Sequence, residues 1–264
     1  HFVSRLKSGD QTALVQYGRH VQTIQSWTED RDATSNAIKT KLSSDSGANL
    51  AGALAEAVSR FAETPAGNRH LVLITDGVDD STDSGEGDSR LAQAVKDLLT
   101  QSVTVHIVSY AHMGRKDMWK SQPLIQITGD KRRTIADVAL DMLKPIGSEY
   151  VKPRIHFYID LDLPMRQRRR EYLKAMKEGE RWLRSFAVET NGNMLVPGSV
   201  EEMMTNVEQI AGDVDSQYVV TYKPKRSFAS SAEGEYRRIE VAPGRVGLVV
   251  SSRKGYVAPS APKD

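Results

Sequence analysis

The chain has 264 residues, 39% of them apolar and 27% charged, a balance that excludes wholesale disorder, collagen-like repeats and a coiled coil. Its 36 Lys and Arg against 34 Asp and Glu leave a net charge of +2, too small for a global attraction to nucleic acid or to a membrane surface. The absence of cysteine rules out disulfides, thiolate metal sites and thiol nucleophiles, and no apolar run reaches the roughly 18 to 20 residues of a membrane-spanning helix.

The opening His1-Phe2-Val3, in place of an initiator Met, reads as a processed or trimmed start, and Phe2, Val3 and Leu6 stand at helical spacing. Residues 12–17 and 21–27 are strand candidates joined by Gly18-Arg19-His20, a link short enough for an antiparallel hairpin. Thr28-Glu29-Asp30 supplies cap chemistry for a helix through Ile38 and Leu42. Leu50, Leu54, Val58 and Phe61 then recur at four- and three-residue steps, the stripe of a packed helix. Leu71-Val72-Leu73-Ile74 is a continuous apolar run that ends in Thr75-Asp76-Gly77, the pattern of a strand buried on both faces that carries a carboxylate to its end. Residues 101–110 repeat the strand pattern, and 90–99 between them are amphipathic, so strand, helix and strand predict a crossover and a parallel sheet covered by helices. Ligands of such sheets bind outside the carboxyl ends of the strands, which is where Asp76 and the acidic run Asp79, Asp80 and Asp83 fall.

Residues 111–180 leave this rhythm and are too many for a simple loop. A helix over 134–143, a strand over 154–161 and a long basic helix over 165–186 are predicted within or next to them. An Asn191-Gly192-Asn193 turn, a short strand 194–196 and a helix opened by the capping box of Ser199 and Glu202 follow. Strands are expected over 217–222, 236–241 and 246–251, with Pro243-Gly244 as the tight turn between the last two. Tyr218, Tyr222, Tyr236 and Tyr256 are expected to pack across this ribbon.

Three sets of motifs in order resemble the von Willebrand factor A domain: Thr12-Ala-Leu-Val-Gln-Tyr-Gly, then Ser46-Gly-Ala-Asn-Leu-Ala-Gly-Ala-Leu, then Leu73-Ile-Thr-Asp-Gly. The tail motifs Ser216-Gln-Tyr-Val-Val-Thr-Tyr-Lys-Pro, Tyr236-Arg-Arg-Ile-Glu-Val and Arg253-Lys-Gly-Tyr-Val-Ala-Pro are similar to the ending of the VWFA-related proteins of acidobacteria. The resemblance covers 1–110 and 181–258. It implies a doubly wound, mostly parallel α/β sheet that lacks its first strand in this chain, with a mainly helical insertion at 111–180 and a C-terminal β-ribbon. The expected divisions are an A-like part at 1–110, the insertion at 111–180, the last A-like part at 181–215, the ribbon at 216–258 and a flexible tail at 259–264.

The resemblance also implies a metal-ion-dependent adhesion site. There an Asp-x-Ser-x-Ser loop, a Thr and a later Asp hold Mg²⁺ for a partner's carboxylate, oxygen ligands suited to a hard cation. On this chain the later Asp maps to Asp76, the Thr position falls on Ala48, and Asp-x-Ser-x-Ser is absent, so its strand would lie upstream of His1. Asp76 is the one metal candidate, set against a structural role for it in the loop after the strand. The implied function is non-enzymatic protein binding of the adhesion type, extracytoplasmic or secreted, through carboxyl-edge loops that include Asn49, Asp79 and Asp80. It would work through Mg²⁺ or, with Ala48 in the Thr position, through direct hydrogen bonds.

Two rival readings rest on other residues. Asp160 and Asp162 after an apolar run suggest a Mg²⁺-dependent phosphatase-like hydrolase, but Pro164 stands where a small hydroxyl residue is needed. Arg168, Arg169 and Arg170 lead a basic helix that would dock on an acidic partner, although its apolar face of Leu173, Met176, Leu183 and Phe186 also fits a surface helix. Stacking aromatics are not interleaved with its charges, which disfavours nucleic acid. The six histidines show no zinc-like spacing.

Overall fold

The computed structural model describes residues 2–45, 47–65, 67–79, 85–113, 125–128, 156–159, 163–226 and 235–258. The chain divides into two compact units, one of residues 1–114 with 172–264 and the other of residues 115–171.

In the larger unit, a short helix α1 (Phe2–Arg5) leads to β1 (Thr12–Tyr17) and β2 (Val21–Thr28), which pair antiparallel as a hairpin with Tyr17 opposite Val21. The next helix, α2 (Arg31–Thr40), starts where Asp30 turns its side chain back to accept the Ala33 N–H at 2.9 Å. Helix α3 (Leu50–Ala62) is capped in the same way by Asn49, which accepts the Gly52 N–H at 2.8 Å. The apolar stripe of α3 is buried as its spacing demands, with Leu50, Leu54 and Phe61 in the core.

Strand β3 (His70–Thr75), helix α4 (Gly85–Thr100) and strand β4 (Thr104–Ser109) form the predicted crossover, and β3 and β4 pair in parallel from His70 opposite Thr104 to Thr75 opposite Ser109. Every residue of β4 is buried, as expected of a central strand covered on both faces. One face carries Leu73, Val105 and Ile107 into a cluster with Leu54, Leu98 and Leu183. Full burial of a Leu or Ile there stabilises by roughly 1.5 to 3 kcal/mol.

The 27-residue helix α5 (Leu163–Glu189) leads into β7 (Met194–Leu195), which joins the other side of β4, giving the sheet order β3-β4-β7. Asn191, with φ 64°, ends the helix, and the Gly192 N–H returns to the Ala187 carbonyl at 2.8 Å. Buried Thr190 ties this corner to the sheet by accepting the Val105 N–H at 3.0 Å. Helix α6 (Val200–Ser216) packs on α1 and β4. Its capping box forms with Ser199 Oγ accepting the Glu202 N–H, while the Glu202 carboxylate accepts the Gly198 N–H at 2.7 Å.

In the smaller unit, β5 (Ile125–Thr128) and β6 (His156–Ile159) pair antiparallel. The predicted helix over 134–143 lies outside the described residues, as do Asp160 and Asp162.

The C-terminal ribbon is narrower than the sequence predicts. Among the described residues only β8 (Tyr236–Arg238) and β9 (Gly255–Val257) form a ladder there, and residues 217–222 and 246–251 form none. The physical reason is that both faces of these segments are open, as Tyr218 at 94% and Val249 at 98% exposure show, so no buried face fixes a register. Of the four ribbon tyrosines, Tyr222 and Tyr256 meet edge to face, whereas the Tyr236 hydroxyl donates to Glu189 at 2.8 Å.

The hairpin β1–β2 and the sheet β3-β4-β7 are separate sheets, and each of β1 and β3 has a strand on one side only among the described residues. No described helix is long and apolar enough to cross a membrane.

Candidate functional site at the carboxyl edge of the sheet

Asp76 is the residue immediately after β3 and is 9% exposed. Its Oδ1 accepts the Val78 N–H at 3.1 Å, closing an Asx turn, and its Oδ2 accepts the Tyr172 hydroxyl at 2.5 Å. Thr75 Oγ1 accepts the Gly77 N–H at 3.1 Å, so the loop is held by side chains on both sides of the turn. Gly77 has φ 83°, a region that excludes most side chains. Gly179 of α5 lies against it so closely that a methyl group there would overlap the Gly77 carbonyl. This close approach brings Tyr172, two turns earlier on α5, over the Asp76 carboxylate.

Asp79 accepts the Ala51 N–H at 3.2 Å, and Asn49 accepts the Gly52 N–H one residue further on. Both therefore supply oxygens to N–H groups of the first turn of α3, which have no acceptor within the helix. Asp76, Asn49 and Asp79, three residues expected at this edge, are thus brought to one region. Asp80 and the side chains of Arg168 and Arg169 are outside the described residues. Arg170 is exposed on α5 and belongs to the smaller unit. Further along the helix Lys174, Lys177, Arg181 and Arg184 are exposed while Met176, Leu183 and Phe186 are buried, the division expected of a surface helix.

A cavity of about 300 Å³ opens at this edge, and Tyr17, Asp45, Ala48, Asp76, Tyr110 and Tyr172 are among the residues that line it. Tyr17 ends β1 and Tyr110 follows β4, so two strand termini and one helix each deliver a phenol. Burial raises the Tyr17 hydroxyl above the usual tyrosine range against the opposing effect of its hydrogen bond with Thr75, and Asp76 adds to the rise. Tyr110 is raised by burial and then by the charge of Asp76. Tyr17 and Tyr110 thus stay neutral donors and acceptors near neutral pH. The sequence alone singled out none of the three phenols, nor Asp45. The position of Tyr17 and Tyr110 at strand ends was the available signal; Tyr172 carries none, being 96 residues from Asp76.

The described residues do not fit a Mg²⁺ ion. Asp76 is the one carboxylate that matches the metal-site motif, and Ala48 offers a methyl group where an oxygen ligand is needed. Among the described residues no three His, Asp or Glu are placed to share an ion.

A parallel sheet packed against helices, with a concave site at the carboxyl ends of its strands, belongs to the α/β class. The von Willebrand factor type A domain matches residues 1–143, more than half of the chain, and the protein belongs to that family. Domains of this family mediate protein–protein interactions. Among solved structures, the chain is similar to the conserved hypothetical protein BatB from Bacteroides thetaiotaomicron (12% identity, TM-score 0.43, covering 82% of this chain and 84% of that one). It is similar to an aerotolerance-related membrane protein from Bacteroides fragilis (14% identity, TM-score 0.41, 80% and 83% coverage). It also resembles a von Willebrand factor type A structure from Catenulispora acidiphila (22% identity, TM-score 0.36, 41% and 26% coverage). No curated protein matches the chain.

Proposed function

We propose that this protein is a non-enzymatic, adhesion-type binding module whose carboxyl-edge loops grip a partner protein by direct hydrogen bonds rather than through Mg²⁺. The cavity between the ends of β1 and β3 carries this reading, because it is concave, lies where sheets of this class bind ligands, and is lined by hydroxyls and carboxylates. Asp76 serves there as a hydrogen-bond acceptor that fixes the Tyr172 hydroxyl, and Asn49 and Asp79 hold the rim at the start of α3. An extracytoplasmic or secreted location follows from the family resemblance and is part of the proposal.

The test is selection of a random peptide library on the immobilised chain, followed by competition with Ala48→Arg. The arginine side chain is long enough to fill the mouth of the cavity. Peptides that bind the native chain and are lost with Ala48→Arg support the reading. A library that yields no binder, or binders indifferent to Ala48→Arg, refutes it.

A further inference from the structure

Beyond the end of α6 the chain exposes apolar side chains that a folded protein ordinarily covers. Gln217 leaves the helix with extended backbone (φ −75°, ψ 139°), and residues 217–224 contain no helix or turn. Along them Tyr218 is 94% exposed, Val219 67%, Val220 78% and Tyr222 53%. With a fully exposed aromatic side chain offering roughly 150 to 250 Å², these four residues present on the order of 500 Å² of mostly apolar surface. Two copies facing each other would bury about twice that, close to the roughly 1,200 Å² at which specific interfaces begin.

The pattern of the segment fits a second copy of itself. A two-fold axis normal to a β-ladder keeps every side chain on its own face, and successive residues alternate faces. In an antiparallel pair of identical strands, one residue must therefore stand opposite itself. With Val220 on the axis, Tyr218 pairs with the partner's Tyr222, Val219 with the partner's Thr221, and Gln217 with the partner's Lys223. An axis at Thr221 would place Pro224, which has no N–H to donate, opposite Tyr218, and an axis at Val219 would need Ser216 of the helix opposite Tyr222. Tyr218, Val220 and Tyr222 share one face of the segment. Tyr222 already meets Tyr256 edge to face, so the partner's Tyr218 would join an existing ring pair.

Charge selects the same arrangement. The last turn of α6 contains Asp213 and Asp215 and no basic residue, so acidic charge adds to the negative end of the helix dipole. Within the chain, exposed Lys7 lies 3.6 Å from Asp215, and the Asn193 side chain donates to Asp213. Exposed Lys223 and Lys225 follow the other end of the segment, and antiparallel pairing brings them beside the partner's helix end. Residues 246–250 are also exposed but lack this self-complementarity. Arg245 and Arg253 flank them, so self-pairing would set cation against cation, and Gly247 at φ 88° interrupts the extended backbone.

We propose that the protein self-associates into a two-fold dimer through antiparallel pairing of residues 217–223, with Val220 on the axis. None of these is among the residues that line the carboxyl-edge cavity, so the binding reading above stands or falls separately.

The test is sedimentation equilibrium of the full chain, together with single-cysteine variants placed in a sequence that has no cysteine of its own. A monomer–dimer equilibrium with a dissociation constant on the order of micromolar is expected, the weak end for specific interfaces. Val220→Lys sets two like charges opposite each other at an exposed position and should weaken association at least about tenfold, roughly 1.4 kcal/mol. At low concentration its urea unfolding should match that of the native chain, which keeps lost association distinct from a lost fold. Val220→Cys should form an intermolecular disulfide in a glutathione redox buffer, because directly opposed Cα atoms lie about 4.5 to 5.5 Å apart, within reach of the bond. Val249→Cys, 98% exposed but off the axis, should cross-link at least about tenfold more slowly.

A chain that stays monomeric at about 100 µM, as it would if a different protein covers this segment, would overturn the proposal. So would a dimer that Val220→Lys leaves intact, or cross-linking at Val249→Cys as fast as at Val220→Cys.

Discussion

Lowering the pH from 7 to 5 should destabilise this protein through one buried pair, His70 and His106. The parallel register places Thr104 opposite His70, so His106, two residues on, shares its face of the sheet. The rings stack with centroids 5.4 Å apart and His70 Nδ1 lies 3.2 Å from His106 Nε2. The Asn193 N–H donates to His106 Nδ1 at 3.4 Å, which leaves the His106 proton on Nε2, where it donates to His70 Nδ1. Adding a proton to either ring would set two N–H groups against each other. Burial accordingly lowers His106 from 6.5 to about 4, and burial, then the neighbouring His106, lower His70 to about 4 against the opposing charge of Asp10.

A histidine whose folded pKa lies below its unfolded value stabilises fully above 6.5 and loses that contribution as pH falls toward 4, because the unfolded chain takes up the proton first. At pH 5 the loss is about 2 kcal/mol for His106, which is 1% exposed. It is smaller for the half-buried His70, so the pair loses on the order of 3 kcal/mol. Urea unfolding followed by tryptophan fluorescence at pH 7 and 5, for the native chain and His106→Phe, measures it. His106→Phe keeps the ring packing and should lose less than half as much stability on acidification. Equal pH dependence in the two proteins, or none in the native chain, would refute the assignment.

Other outcomes follow from single contacts. Gly179→Ala should destabilise by about 2 kcal/mol in urea unfolding, because the overlap with the Gly77 carbonyl outweighs the gain in helix propensity of up to about 1 kcal/mol; a change within about 0.5 kcal/mol contradicts the close approach. Tyr172→Phe should cost about 1 to 3 kcal/mol by removing the hydrogen bond to nearly buried Asp76, and the cost should shrink in an Asp76→Asn background; additive costs would show that the two groups do not interact. Thr190→Val should cost about 1 to 3 kcal/mol by leaving the buried Val105 N–H without its acceptor, and amide hydrogen exchange at Val105 should accelerate; unchanged exchange contradicts the bond.

The parts of the fold legible in the sequence are those whose signals are local. Caps at Asp30 and Ser199, the stripe of α3 and the apolar run of β3 each lie within a few residues, and each appears where its chemistry places it. The ribbon is shorter than its residues suggest because Tyr218, Val219 and Val220 have strand propensity but no layer to bury them, and propensity without a covered face does not make a ladder. The site was half legible for a related reason. Asp76 is marked by the strand that ends at it, whereas its partner Tyr172 arrives across the segment 115–171, and His70 meets His106 only through sheet register. Spacing along the chain encodes neither meeting.

The carboxyl edge is proposed to bind a partner protein without a metal ion. The most direct test is the affinity of a library-selected peptide for the native chain in Mg²⁺ and in EDTA, beside Ala48→Arg. Equal affinity in the two buffers and a loss of more than about tenfold with Ala48→Arg are expected. Binding that disappears in EDTA, or survives Ala48→Arg unchanged, would contradict the proposal.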